Sequence, residues 1–325
     1  MNKVFCLSPK YCTTRNVKSM NTSVSNKIEK KNHKTKLSSY VTHQKNEGGL
    51  RTQGYFKVRG SENCDIFGEK SATLITVITV VFNAARTIEE TILSVIHQAY
   101  GNIEYIVIDG GSTDATLDII RKYEHAIDYW VSENDKGIYD AMNKGINIST
   151  GDWVNFMNAG DLFNSTNTVD QIFSTNLGDE KIIYGDVHIR YEDFERVETA
   201  KNPRKLWQGM QFSHQSLFCD LDYHRKNLFN IKNTICADLE FCYRAYKEDL
   251  NFKYTPIIVA SVDVGGASEG NRLKTLALAN KAVIDSGALP LVNLYYFFKR
   301  FDVRFRSYIK SILPKWATKI IILIK

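Results

Sequence analysis

An α/β fold, a mostly parallel Rossmann-like sheet flanked by helices with a mixed second half, is what this 325-residue chain predicts. Three observations carry that expectation. Near-continuous β-branched runs at residues 74–81 and 103–108 read as strands covered on both faces. Helical periodicity fills the stretches between such runs, the alternation of a parallel sheet. Two apolar runs, Ile106-Val-Ile-Asp109 and Trp153-Val-Asn-Phe-Met-Asn-Ala-Gly-Asp161, end in an acidic residue beside glycine. Glycine permits the sharp turn, so each strand delivers a carboxylate at its C-terminal end, where open α/β sheets place ligands.

The elements follow in order. Residues 1–70, rich in Lys, Asn, Ser and Thr and without a sustained period, read as a basic, disordered extension. After the first strand, Thr87 caps a helix with Glu89 and Glu90 in its first turn and Ile88, Ile92, Val95 and Ile96 on one face. The second strand leads to a helix started by Asp114. Residues 129–131 make a third strand, 138–148 a helix, 153–157 a fourth strand and 181–184 a fifth. A hairpin is expected over 187–191 and 195–199, and a strand at 216–218. Asp238 opens a helix, two strands follow at 252–254 and 257–260, and a helix over 273–286 closes a globular region of residues 71–290 that divides near 186. Residues 291–325 form a tail of alternating aromatic and basic residues, interrupted by Pro314; they read as a segment lying at a membrane surface, or else as an amphipathic helix packed on protein.

Charge narrows the function classes. The net charge of +6 hides a division: residues 1–70 hold 14 Lys+Arg against 5 Asp+Glu, and residues 296–325 hold 8 against 1. The stretch between them holds 20 against 30, an acidic body that argues against a nucleic-acid groove. Six cysteines at 6, 12, 64, 219, 236 and 242 form no metal-binding or disulfide framework, which fits a reducing, cytoplasmic compartment. No stretch has the roughly 18 uninterrupted apolar residues of a spanning helix.

Several side chains are candidates for chemistry. Asp109 reads either as an acceptor for a base N–H or ribose hydroxyl, or as the side chain of an Asx-turn closing the strand. Asp161 offers a hard oxygen ligand to a dication on a diphosphate. Between them, Asp135-Lys-Gly-Ile-Tyr-Asp-Ala-Met-Asn-Lys-Gly145 carries Lys136 and Lys144, read as phosphate contacts or as solvated helix-end lysines. Asp238, among aliphatic and aromatic neighbours, is a base partly screened from water, or an N-cap. His214 reads as a base, an acceptor-binding group or a satisfied core imidazole. Trp207 and Phe212 would form a stacking platform for a sugar face, or simply pack.

Together these segments resemble the family 2 glycosyltransferases, in particular those that assemble bacterial cell-surface polysaccharides. The resemblance spans roughly residues 73–270 and rests on Ile78-Thr-Val-Val-Phe-Asn83, Asp109-Gly-Gly-Ser-Thr-Asp114, residues 132–145, Asn158-Ala-Gly-Asp161, His214-Gln-Ser216 and Ala237-Asp238. It implies a GT-A type fold, a nucleotide-diphosphate sugar donor, Mg²⁺ or Mn²⁺, and inversion at the anomeric carbon in one displacement. By that resemblance Phe82, Asn83, Asp109, Asp135, Lys136, Asn143 and Lys144 would bind the donor and Asp161 the metal. Trp207, His214 and Gln215 would meet a glycan or lipid-linked glycan acceptor, and Asp238 would be the base. The body would be cytoplasmic and peripheral on the inner face of the cytoplasmic membrane. Three positions depart from the family pattern: Asn158 begins the motif that often reads Asp-x-Asp, Val80 stands where relatives often have Pro, and Met142 where many have Arg. A sugar nucleotidyltransferase would show a Gly-rich basic loop after the first strand, and Asn83-Ala-Ala-Arg-Thr87 is not one. A non-catalytic nucleotide-sugar-binding protein is the other alternative.

Overall fold

The computed structural model describes residues 4–5, 17–19, 46–57, 72–174, 177–191, 194–265 and 271–312. In chain order the main sheet contains β1 (Glu47–Gly48), β2 (Ile75–Val81), β3 (Ile103–Asp109), β4 (Tyr129–Ser132), β5 (Trp153–Phe156), β6 (Leu162–Phe163), β7 (Ile182–Arg190), β8 (Glu195–Glu198), β9 (Leu217–Asp220) and β10 (Phe252–Asp263). Their spatial order is β1-β4-β3-β2-β5-β9-β7-β10-β6, with β8 paired to β7. Strands β4, β3, β2 and β5 run parallel, whereas β9 pairs antiparallel with both β5 and β7. The mixed α/β architecture with a parallel first half is the one expected.

Every residue of β2 and β3 is buried. Alternate side chains serve opposite faces, so Ile78, Val80, Ile106 and Ile108 join one core while Ile75, Val77, Val81, Tyr105 and Val107 join the other. Each aliphatic side chain so enclosed contributes roughly 1.5–3 kcal/mol. Helix α1 (Ile88–Ile96) covers the second core with Ile88, Ile92, Val95 and Ile96. Helix α2 (Thr116–Lys122) follows β3, and α3 (Ile138–Ile148) covers the first core with Tyr139, Met142 and Ile146. The second half adds α4 (Thr168–Phe173), α5 (Leu221–Lys226), α6 (Ala237–Lys247), α7 (Arg272–Asp285) and α8 (Val292–Ile312).

Four local expectations are corrected, the first being that 181–184 and 187–191 are separate strands, since β7 runs unbroken over Ile182–Arg190. Residues 46–57 belong to the folded body: β1 extends the sheet beside β4, Arg51 pairs with the buried Glu104, and Lys57 lies 2.9 Å from Asp128 with both side chains buried. The rest of the expected extension lies mostly outside the described residues. Asp114 precedes rather than caps α2; its carboxylate accepts from the Thr116 amide at 3.0 Å and the Ala85 amide at 3.1 Å, tying two loops together. The strands expected at 252–254 and 257–260 are one strand, because Pro256 falls where the β7–β10 register shifts between Tyr184 and Asp186. A bulge needs no ladder hydrogen bond there, which is where a sheet tolerates proline. The tail forms helix α8 through Ile312; Pro314 and the terminal aliphatic run lie outside the described residues.

Candidate active site

The C-terminal ends of the parallel strands build one rim. β2 runs into Phe82 and Asn83, and Asn83 takes a left-handed φ of 48°. That conformation turns the Asn83 amide nitrogen onto Ser112 Oγ at 2.8 Å and lets its side-chain oxygen accept from the Thr113 amide at 2.9 Å. Beside it Asp109 is fully buried and accepts hydrogen bonds from Ser112 and Ser132. The carboxylate thus holds the Gly110–Ser112 turn closed, the Asx-turn role foreseen as its alternative. Gly110 has no room for a Cβ, since the Asp135 carboxylate lies against it. Phe82 stands 62% exposed over the same glycine. Asp135 in turn accepts from the Gly137 amide at 2.8 Å, where a φ of 111° opens α3.

The lysines differ. Lys144 is held by Glu133 at 2.8 Å and by the Asn134 carbonyl at 2.9 Å. Lys136 is exposed, and among the described residues its ammonium meets no acidic side chain. Asn143 is buried with both ends of its amide on the Phe229 backbone, at 2.9 Å each. Its geometry is that of a pin between α3 and the 227–233 loop.

The second half of the site forms where β5 meets β9. Asn155, fully buried on β5, donates to the carbonyls of Gln215 and Leu217 at 2.9 Å each, which fixes the turn Ser213–Gln215 over the strand end. That turn aims two consecutive side chains at two carboxylates. Gln215 donates to Asp161 Oδ2 at 2.8 Å. His214 places Nδ1 3.5 Å from Asp238 and Nε2 2.9 Å from the Asn158 amide nitrogen. Asp161 and Asp238 are therefore linked through neighbouring residues, although 77 positions separate them.

Electrostatics sharpen the arrangement. Burial raises the Asp161 carboxyl above its ordinary value, only partly opposed by His214 and Gln215. Burial alone would lower His214, yet Asp238 and Asp161 prevail and its pKa is raised. Asp161 Oδ1 accepts no hydrogen bond from a described residue, and Asn158 Oδ1 is buried without a partner. Two such oxygens fit a hard dication that also binds a diphosphate and water. Among the described residues, no group of three or more His, Cys, Asp or Glu forms a closed metal cluster.

Asp238 sits inside α6, whose cap is Cys236, so the N-cap alternative does not hold. Its Oδ1 lies 3.1 Å from the Tyr139 hydroxyl and 2.8 Å from the Leu239 amide. Trp207 and Phe212 make no joint platform: Phe212 is buried against Tyr184, and Trp207 packs edge-on against Tyr295 of α8 at 5.1 Å. Sequence reasoning missed Asn155, Tyr139, Ser112 and Ser132. For Asn155 the signal is a polar Asn inside an apolar strand, which marks a buried amide needing partners, whereas Ser112, Ser132 and Tyr139 lie within the motifs quoted above without a role of their own there.

The model of the family described as glycosyl transferase family 2 matches residues 76–251. A PGL/p-HBAD biosynthesis glycosyltransferase of Mycobacterium bovis is 30% identical over 214 residues, covering 61% of this chain and 80% of that protein. An uncharacterized glycosyltransferase of Mycobacterium tuberculosis is 35% identical over 182 residues, covering 54% and 70%. Among solved structures, S. aureus TarS (residues 1–349, with UDP) superposes with a TM-score of 0.52 at 14% identity, covering 75% of this chain and 77% of that one. The likeness in fold is to a GT-A type enzyme. With the family match spanning more than half of its length, the chain belongs to glycosyl transferase family 2.

Proposed function

We propose that this glycosyltransferase inverts the anomeric centre of a sugar, moving it from a nucleotide-diphosphate donor to a hydroxyl of a glycan or lipid-linked glycan acceptor in cell-surface polysaccharide synthesis. The observation that carries the reading is the convergence of Asp161 and Asp238 on the adjacent Gln215 and His214. A single displacement needs one base and charge neutralisation on the leaving group, with no nucleophilic side chain between. S. aureus TarS, alike in fold, is described in complexes with UDP and with UDP-GlcNAc, which accords with a donor of this class. The relative named for PGL/p-HBAD biosynthesis accords with a lipid-linked acceptor.

In this reading the nucleotide lies over the rim of β2 and β3, with Phe82 against the base and the Asn83 and Gly110–Ser112 turns around it. Asp109 serves the base through the turn it closes. Asp135 and Lys136 face the ribose and diphosphate; Lys136 takes the phosphate role, since Lys144 is engaged by Glu133. Asp161 and the Asn158 carbonyl would hold Mg²⁺ or Mn²⁺, which supplies Lewis-acid neutralisation of the diphosphate. Asp238 takes the proton of the acceptor hydroxyl as its oxygen bonds to the anomeric carbon and the bond to the diphosphate breaks. His214 orients Asp238 and offers the acceptor a polar edge beside Gln215.

The test is a panel of nucleotide-sugars screened for binding and slow hydrolysis, with and without Mn²⁺. The reading expects one donor to bind and turn over with metal. Binding of no nucleotide-sugar under either condition would overturn it.

A further inference from the structure

Helix α8 carries an apolar face that none of the other described elements covers. Tyr296, fully buried, and half-buried Val292 and Tyr295 settle one side of the helix on α7 and on the 203–208 segment, with Tyr295 against Trp207. Opposite them, Leu294, Phe298, Phe301 and Phe305 are spaced by four, three and four residues and therefore lie in one stripe. Each is more than half exposed. Phe301 and Phe305 stack on each other along the stripe with centroids 6.3 Å apart, so the rings form a continuous ridge. At 100° per residue, Arg300 and Arg304 fall on one flank and Arg306 on the other, while Lys299 lies over the Tyr295 ring on the packed side. Among the described residues Arg300 and Arg304 have no acidic partner, and Asp302 is taken by Arg306 at 2.7 Å.

We propose that this face docks on an anionic lipid bilayer, with the rings inserted among the acyl chains and the flanking cations on headgroup phosphates. Charge selects this occupant. Residues 296–306 hold Lys299, Arg300, Arg304 and Arg306 against Asp302 alone, a surface complementary to anionic headgroups and self-repelling toward a second copy. No described helix is long and apolar enough to cross a membrane, so the contact is made in the interface plane. The opposite side of α8 rests on the segment carrying Trp207, which places that segment about one helix diameter, roughly 10 Å, from the lipid. The contact does not depend on the transfer chemistry and is measured by binding alone.

The full chain is mixed with vesicles of phosphatidylcholine, pure or containing phosphatidylglycerol, and sedimented. The wild type is expected to co-sediment with the mixed vesicles and to be released by added salt. The triple variant Phe298→Ser, Phe301→Ser, Phe305→Ser should bind at least about tenfold more weakly. The variant Arg300→Gln, Arg304→Gln should lose about fivefold per charge toward anionic vesicles only. An unchanged thermal melt shows that each variant is folded. Wild-type protein that ignores the mixed vesicles, or a triple variant that binds like wild type, overturns the proposal. So does a lipid-free wild-type dimer that the triple variant converts to monomer, because a second copy then covers the face.

Discussion

The imidazole Nδ1 of His214 lies 3.5 Å from the carboxylate of Asp238, and the ring's other nitrogen rests on Asn158. As placed, the Asn158 amide nitrogen donates to Nε2, which suits a neutral ring that carries its proton on Nδ1 toward Asp238. Yet Asp238 and Asp161 raise the His214 pKa, and a charged ring needs an acceptor at Nε2. In the metal-free protein Asn158 Oδ1, buried and without a partner among the described residues, is that acceptor once the amide turns over, a role it would give up on holding a metal.

The sign of the resulting pH dependence is fixed. A histidine whose folded pKa is raised lends stability that is complete below the unfolded value of about 6.5 and is lost as pH rises through the folded one. Denaturant unfolding across neutral and alkaline pH should therefore show a decline in the wild type that His214→Gln lacks. Parallel curves for the two proteins would remove His214 from this role.

His224 titrates the other way. It is buried among Phe156, Phe229 and Phe241, stacked on the last at 4.1 Å, and among the described residues neither ring nitrogen has a hydrogen-bond partner. Burial lowers its pKa from 6.5 to about 4. Below pH 6.5 the unfolded chain takes up a proton there that the folded chain refuses until about pH 4, so about 3 kcal/mol of stability drains across that window. His224→Phe should flatten this part of the unfolding curve; an unchanged slope would contradict the assignment.

The sequence made the parallel half legible because its strands are buried on both faces, and β-branched runs such as Ile75–Val81 have few other uses. The carboxylates Asp109, Asp161 and Asp238 stood out for the same local reasons, beside glycines or among apolar neighbours. What joins them did not. The contacts from His214 to Asp238 and from Gln215 to Asp161 span 24 and 54 residues and leave no periodic trace. The docking of residues 46–57 was equally hidden, since β1 is two residues long and is held by pairs such as Arg51–Glu104 made only in three dimensions.

That docking has a measurable consequence. Burial alone would raise the Glu104 carboxyl, but Arg51, Thr150 and Thr76 hold it below its ordinary value. Arg51→Met leaves a fully buried charge without its cation, which should cost about 3 kcal/mol in equilibrium unfolding. Adding Glu104→Gln should recover part of that loss. If Arg51→Met unfolds like wild type, residues 46–57 are not an integral part of the domain.

The donor rim offers a narrower test. Any Cβ on Gly110 collides with the Asp135 carboxylate, so Gly110→Ala must displace the strand-end turn or the Asp135 loop. Nucleotide-sugar binding by calorimetry should weaken about tenfold or more while the melting temperature moves little. Undiminished binding would place the donor elsewhere.

The most direct measurement of the central claim compares Asp238→Asn with wild type for both donor binding and sugar transfer. Asparagine keeps the size and removes the base, so turnover should fall by about 10²–10⁴ while the donor affinity stays within about twofold of wild type. Transfer at the wild-type rate by Asp238→Asn would contradict the account.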